Sequence, residues 1–200
     1  MHALVSNGIY DKAVYLLLEK LHLWEMVNEY LQKWTLPKHL KGFKTESILI
    51  KSRVEKHRKE THFSATASEV LTLQPFLTHF IKQVLQPCGS EPDACKTMLA
   101  LGHLLDLLQA ANFSQCVTGH MIQDAVHDIL KHWVQAGWEK SMVKKHHWLL
   151  HLGQEHDRHG LSLNSFALER KHKNAKRFGA NVYNLQKFEK SLREEIAVKK

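Results

Sequence analysis

The stretch PDACKTMLALGHLLDLLQAANFSQCVTGHMIQDAVHDILKHWVQAG, residues 92–137, carries the two strongest helix signals of the 200-residue chain. Residues 95–113 are nearly all apolar, which indicates a helix that is buried on most of its surface. Residues 121–134 place apolar side chains at intervals of three and four, the repeat of a helix with one buried stripe. Pro92 suits a first helical position, and Gly137 ends the second helix. These two helices are predicted to form the centre of an all-α domain.

A third helix is predicted just before this pair. Thr66 and Glu69 have the spacing of a capping box, in which a threonine and a glutamate satisfy each other's backbone donors at a helix start. We expect this helix to reach about Leu85, with a break or kink near Pro75.

The N-terminal third shows two further helical patterns. Residues 23–34 repeat their apolar side chains at three and four residues, and Asp11 is predicted to cap a shorter helix before them. Residues 44–63 are ambiguous, because the letters SILI fit a short strand or the start of a charged helix.

Beyond Gly137 we expect a compact helix at residues 146–152, a loop at Gly160, and helices near 164–178 and 182–198. The predicted fold class is therefore all-α, an irregular helical bundle with at most one or two marginal strands.

The net charge of +8 is unevenly distributed. Residues 1–139 contain fourteen Lys and Arg against fourteen Asp and Glu, whereas residues 140–200 contain fourteen against six. We therefore divide the chain into a net-neutral helical bundle, 1–139, and a basic helical segment, 140–200, expected to form one continuous globular unit. Such asymmetry is typical of proteins that bind nucleic acid. A basic tail that serves solubility is the alternative.

Composition also excludes several classes of protein. The three cysteines have no CxxC spacing, so we expect reduced thiols rather than a disulfide scaffold or zinc ribbon. The first residues lack the features of a signal peptide, and the apolar runs are shorter than a membrane span. We expect a soluble intracellular protein, nuclear if its source is eukaryotic. The sequence contains no P-loop, GxGxxG, GxSxG or HExxH motif.

Two histidines, His147 and His151, are spaced to share one helical face, an arrangement that can hold a metal ion. The glutamate that acts as general base in zinc proteases is missing between them. Histidines that pack and form hydrogen bonds are the alternative interpretation.

Glu169 stands among basic residues in the letters ERKHKNAKR. Helical spacing places it on one face with His172, Lys173 and Lys176, so an ion pair with Lys173 would account for it. A functional role for this acid needs support from elsewhere in the chain.

Motifs at both ends of the chain give that support. The start, MHALVSNGI, resembles the stretch that follows the second catalytic aspartate of CACTA-like DDE transposases. The far end resembles the pattern that leads to the last acid of that family. The matching residues are Met1, His2, Gly8 and Ile9 at the start, and Lys145, His147, His151, Gly160, Phe166, Glu169, His172 and Lys176 at the far end.

The resemblance implies an RNase H-like catalytic domain with a helical insertion, which would correspond to residues 10–140. Glu169 would be the third metal-binding acid, and the complete family enzyme would use Mg²⁺ or Mn²⁺ held by three acids. The first two aspartates would lie ahead of Met1. We therefore expect a fragment or decayed transposase that has no bound cofactor and does not cut DNA alone.

The leading hypothesis is DNA binding through phosphate contacts, with a longer transposase chain as a further possible partner. The proposed phosphate-binding residues are Lys144, Lys145, Arg170, Lys173, Lys176 and Arg177. The alternative is a helical interaction module that meets an acidic protein and has no nucleic-acid role. Its candidate anchors are Trp24, Trp34, Trp133, Trp138 and Trp148.

Overall fold

A computed structural model describes residues 2–5, 8–34, 45–113 and 116–159, and the regular structure in these ranges is entirely helical. The predicted all-α class is confirmed, and no strand occurs in the described ranges. The α-helices are α1 His2–Val5, α2 Ile9–Lys20, α3 Trp24–Gln32, α4 Lys51–Glu60, α5 Ala67–Phe80, α6 Pro92–Asn112, α7 Gly119–Gln135, α8 Lys144–Leu149 and α9 Leu152–His159. Short 3₁₀ turns occur at Thr45–Ile48 and Glu139–Ser141, and a π-helical turn, Ile81–Leu85, follows α5.

The chain divides into two units, Met1–Ser162 and Leu163–Lys200, and every described residue belongs to the first, which is compact. Helices α8 and α9 therefore belong to the same unit as α1–α7, although the charge pattern groups residues 140–159 with the basic segment. The predicted loop at Gly160 and the predicted helices near 164–178 and 182–198 lie outside the described residues. Within the described part, no helix is long and apolar enough to cross a membrane.

Helix α6 forms the centre of the first unit. It packs most extensively against α7 and also contacts α2 and α5. Its buried residues occur on nearly every turn: Ala94, Cys95, Thr97, Met98, Leu101, Gly102, Leu104, Leu105, Leu107, Leu108 and Ala111. Each buried leucine or methionine contributes about 1.5–3 kcal/mol through removal of its side chain from water. Helix α6 is therefore the centre of the core, as the apolar composition of residues 95–113 predicted.

The capping box at the start of α5 is present as predicted. Thr66 Oγ1 accepts a hydrogen bond from the Glu69 N–H at 3.2 Å, and Glu69 Oε2 accepts one from the Thr66 N–H at 2.7 Å. The helix continues through Pro75 without the predicted break, although the proline has no N–H to donate, and it changes to a π-helical turn from Ile81 to Leu85.

Glu69 also connects α5 to α4 through Arg53. The guanidinium donates to both carboxylate oxygens, from Nη1 at 2.8 Å and from Nη2 at 3.2 Å, and Nη2 also donates to the Ser64 carbonyl at 3.2 Å. The hydrogen bonds that Glu69 accepts from the Arg53 guanidinium, together with the one from the Thr66 N–H, lower its pKa to about 2. Both side chains are half-buried, and their two parallel hydrogen bonds fix the position of α4 on the start of α5.

The prediction for Asp11 is wrong. Helix α2 begins at Ile9 with Gly8 at its N-cap, so Asp11 lies inside the first helical turn and is fully buried. An acid in the first turn is favourable because the N-terminal end of a helix carries partial positive charge. The sequence could not distinguish a cap from a first-turn position, since both favour aspartate.

The ambiguity at residues 44–63 resolves toward the charged helix, α4, preceded by the 3₁₀ turn at Thr45–Ile48. Helix α4 is held by His57, which is fully buried and stacks on Trp24 with ring centroids 5.6 Å apart. Its Nδ1 accepts from the Ser64 N–H at 2.9 Å, and its Nε2 lies 3.3 Å from the Ile48 carbonyl. This histidine anchors a helix whose other residues are mostly charged.

Helix α9 crosses the start of α7 at two glycines, Gly119 and Gly153. A Cβ on Gly119 would overlap the Gly153 carbonyl oxygen and the Asp157 carboxylate, and a Cβ on Gly153 would overlap the Gly119 carbonyl oxygen. Two contacts reinforce the crossing: the Gly119 N–H donates to Asp157 Oδ1 at 2.7 Å, and His156 Nε2 lies 2.9 Å from the Val117 carbonyl. The two backbones therefore approach as closely as glycine allows.

We expect Gly119→Ala and Gly153→Ala each to lower the free energy of unfolding by about 1–3 kcal/mol, because the added methyl group forces α7 and α9 apart. Urea denaturation followed by circular dichroism measures the change. The control is Gln154→Ala, which alters an exposed side chain beside Gly153. Equal midpoints for the glycine variants and the wild-type protein would show that the two helices do not cross in this way.

Candidate functional site

The described part of the basic segment, residues 140–159, consists of α8, α9 and the 3₁₀ turn before them. Lys140 and Lys144 are exposed, and Lys145 is half-buried. Lys144 and Lys145 belong to the predicted phosphate-binding set, and both lie in the first turn of α8.

Helix α8 is held in place by two buried side chains, His146 and Leu149. The His146 ring packs edge-on against Trp133, with ring centroids 4.5 Å apart. Trp133 is itself fully buried and donates from Nε1 to the Trp138 carbonyl at 2.8 Å. This packing fixes one side of α8 and leaves the other side in solvent.

His146 acts as the local cap of α8. Its Nδ1 accepts from the Val143 N–H at 3.0 Å, the role that glutamate or glutamine has in a capping box. Its Nε2 is buried and has no hydrogen-bond partner among the described residues. Burial lowers the pKa of His146 from its ordinary value of 6.5, because a charged imidazolium would lie away from water.

The structure brings His147 and His151 together on the exposed side. Their Nε2 atoms are 3.3 Å apart, and their rings lie almost perpendicular, at 83°. Both side chains are exposed, and their rings pack on each other within hydrogen-bond distance, so the alternative of histidines that pack and form hydrogen bonds fits this pair at the surface. Within the described ranges, no group of three or more potential metal ligands occurs.

The five tryptophans separate into two groups. Trp24, Trp133 and Trp138 are buried, so they are core residues rather than anchors for a partner. Trp34 and Trp148 are 39% and 54% exposed. Helical spacing alone could not separate the groups, because it does not show which apolar stripe faces another helix.

The remaining predicted site residues lie at the ends of the chain. His2 is in α1, and Gly8 is buried at the N-cap of α2. The others lie outside the described residues: Met1, Gly160, Phe166, Glu169, Arg170, His172, Lys173, Lys176 and Arg177.

Sequence reasoning missed the different roles of the three histidines in α8 and the turn after it. His146 is structural, whereas His147 and His151 face solvent. One signal could have indicated this: His146 and Leu149, three residues apart, form a short apolar stripe opposite Lys144 and Trp148.

Comparison of the chain with protein-family models, with curated proteins and with solved structures gives no match. The resemblance to CACTA-like transposases thus depends on the quoted motifs.

We expect acid to destabilise the first unit in part through His146. Its pKa is lower in the folded state than in the unfolded state, so below about pH 6.5 the unfolded chain binds more protons than the folded chain. The free energy of unfolding therefore decreases as the pH is lowered. His146→Gln keeps an acceptor for the Val143 N–H but does not titrate. Its free energy of unfolding, measured between about pH 7 and 5, should depend less on pH than that of the wild-type protein.

The control for this comparison is Lys144→Gln, which alters an exposed side chain of the same helix and should keep the wild-type pH profile. An unchanged pH profile in His146→Gln would contradict the burial of a neutral imidazole at this position.

Proposed function

We propose that the protein is transposon-derived and binds DNA through its basic segment, residues 140–200. The observation that carries the proposal is the distribution of charge: the whole net charge of +8 lies in this segment, and residues 1–139 sum to zero. A segment of this kind binds phosphates with little regard to base sequence.

The described residues support this proposal in two ways. Lys140 and Lys144 are exposed, so their ammonium groups can reach a phosphate backbone. Helix α8 is fixed by buried His146 and Leu149, so the position of its basic side does not depend on a partner. The resemblance to the transposase motifs favours DNA among the nucleic acids and makes Glu169 the candidate third acid.

We expect affinity for a DNA duplex to fall steeply as salt rises, because each neutralised phosphate releases a counterion. The double variant Lys173→Gln/Lys176→Gln should weaken binding. It should also reduce the slope of log K against log salt by about one for each phosphate that the variant no longer neutralises. Fluorescence anisotropy with a labelled duplex measures both quantities.

Two control variants sharpen this test. Glu169→Gln removes a negative charge from the same segment and should not weaken binding, and Lys51→Gln removes an exposed lysine from the net-neutral part and should have no effect. Binding that does not respond to salt, or no binding at low salt, would exclude the proposal. Capture of an acidic protein by the wild-type chain alone, without nucleic acid, would then favour the interaction module.

A second candidate function, metal binding, is compatible with the distance between His147 and His151, although a hydrogen bond between the two rings explains the same distance. Two nitrogens bound to one zinc ion at about 2.05 Å in tetrahedral geometry lie about 3.3 Å apart. The two Nε2 atoms are separated by 3.3 Å. The pair would supply two ligands, and the remaining positions of the ion would be filled by water or by groups outside the described residues.

If the pair binds zinc, His147→Ala and His151→Ala should each lower zinc affinity by at least about tenfold, because one imidazole alone cannot chelate. Isothermal titration calorimetry with zinc chloride measures the affinity. The control His127→Ala removes an exposed histidine of α7 and should retain binding. A zinc stoichiometry near zero for the wild-type protein would remove this function.

A further inference from the structure

The exposed side of α8 presents an aromatic ring between two polar nitrogen-bearing side chains. Lys144 and Trp148 are four residues apart in α8 and therefore share one side of the helix. Both are exposed, as is His151, which lies in the turn after α8 and donates its N–H to the Trp148 carbonyl at 3.2 Å. Lys144 and Trp148 are thus about 6 Å apart along the helix axis.

Among the described residues, no packing contact accounts for a tryptophan at position 148. It is 54% exposed and takes part in no aromatic contact with another described side chain, whereas Trp133 and Trp138 pack on each other in the core. Helix α8 is fixed by His146 and Leu149 on its other side. An exposed indole on this helix leaves a flat apolar surface for a partner to cover.

We propose that Trp148 stacks on an unpaired base, so that the basic segment binds single-stranded nucleic acid in preference to duplex. This inference rests on the proposed nucleic-acid binding. Proteins that bind single strands combine a positively charged track with aromatic side chains on which bases stack. Lys144 supplies the cation next to the ring, and His151 can donate a hydrogen bond on its other side.

The geometry favours an unpaired base over a base pair. In a duplex, each base is already stacked between its neighbours, and a ring fixed on a convex helix surface cannot reach a base face without unstacking it. In a single strand, the base turns out of the backbone at low cost and covers the indole, while its phosphate meets Lys144. The positive charge therefore attracts single-stranded and duplex DNA alike, and stacking on Trp148 favours the single strand.

The test compares the affinities of the full chain for a labelled oligothymidine and for a duplex, each of about 20 nucleotides per strand, by fluorescence anisotropy. Trp148→Ala should weaken binding of the single strand by at least about fivefold, and it should leave duplex binding nearly unchanged. Trp148→Phe keeps a flat ring and should bind the single strand more tightly than Trp148→Ala. The control Phe113→Ala removes an aromatic side chain of the net-neutral part that is 78% exposed, and it should have no effect.

Two results would overturn the inference, and they differ in what they say of the proposed function. If salt-dependent binding persists and Trp148→Ala weakens both forms equally or neither, stacking is wrong while DNA binding stands. If the wild-type chain binds neither form at low salt, both proposals fail. Thermal unfolding of each variant checks that the fold is retained, as expected for an exposed side chain.

Discussion

The burial of α6 is the constraint on which the rest of the first unit depends. A helix that is apolar on most of its surface has no side that water can cover at low cost, so other helices must surround it. Helices α7, α2 and α5 contact it, and their own apolar stripes face inward as a consequence. The unit is an irregular bundle rather than a symmetric one because the helices that cover α6 differ in length and in the polar contacts that join them.

Polar and glycine contacts then set positions that apolar burial leaves open. The Arg53–Glu69 pair joins α4 to the start of α5, and the close approach of Gly119 to Gly153 joins α9 to the start of α7. Neither contact is a large source of stability by itself, because paired charges and backbone contacts replace interactions with water. They are specific, since each requires one pair of residues in one geometry. As a result, the short helices α4 and α9 have defined positions although few apolar side chains hold them.

The sequence predicted the helical class, the burial of α6 and the capping box of α5 because each depends on neighbours within one helix. It failed where the answer depends on contacts far apart in the chain. Asp11 fits a helix cap and a first helical turn equally well, and only the packing of α2 distinguishes the two. Likewise, tryptophan spacing could not show that Trp133 is buried and Trp148 exposed. The candidate site was located from the net charge of a segment, which requires only a count of its residues. The positions of its side chains depend on how the helices pack, and the sequence does not give them.

Charge and exposure provide independent indications of what the basic segment does. Charge alone is consistent with a solubilising tail, because lysines in solvent are favourable without any partner. An exposed tryptophan adds apolar surface to that charge, and a solubilising role does not require such a surface. Their coincidence at Lys144 and Trp148 is therefore more informative than either residue alone. A surface that is both cationic and aromatic complements a ligand that is both anionic and flat, and an unpaired nucleotide has these two properties together.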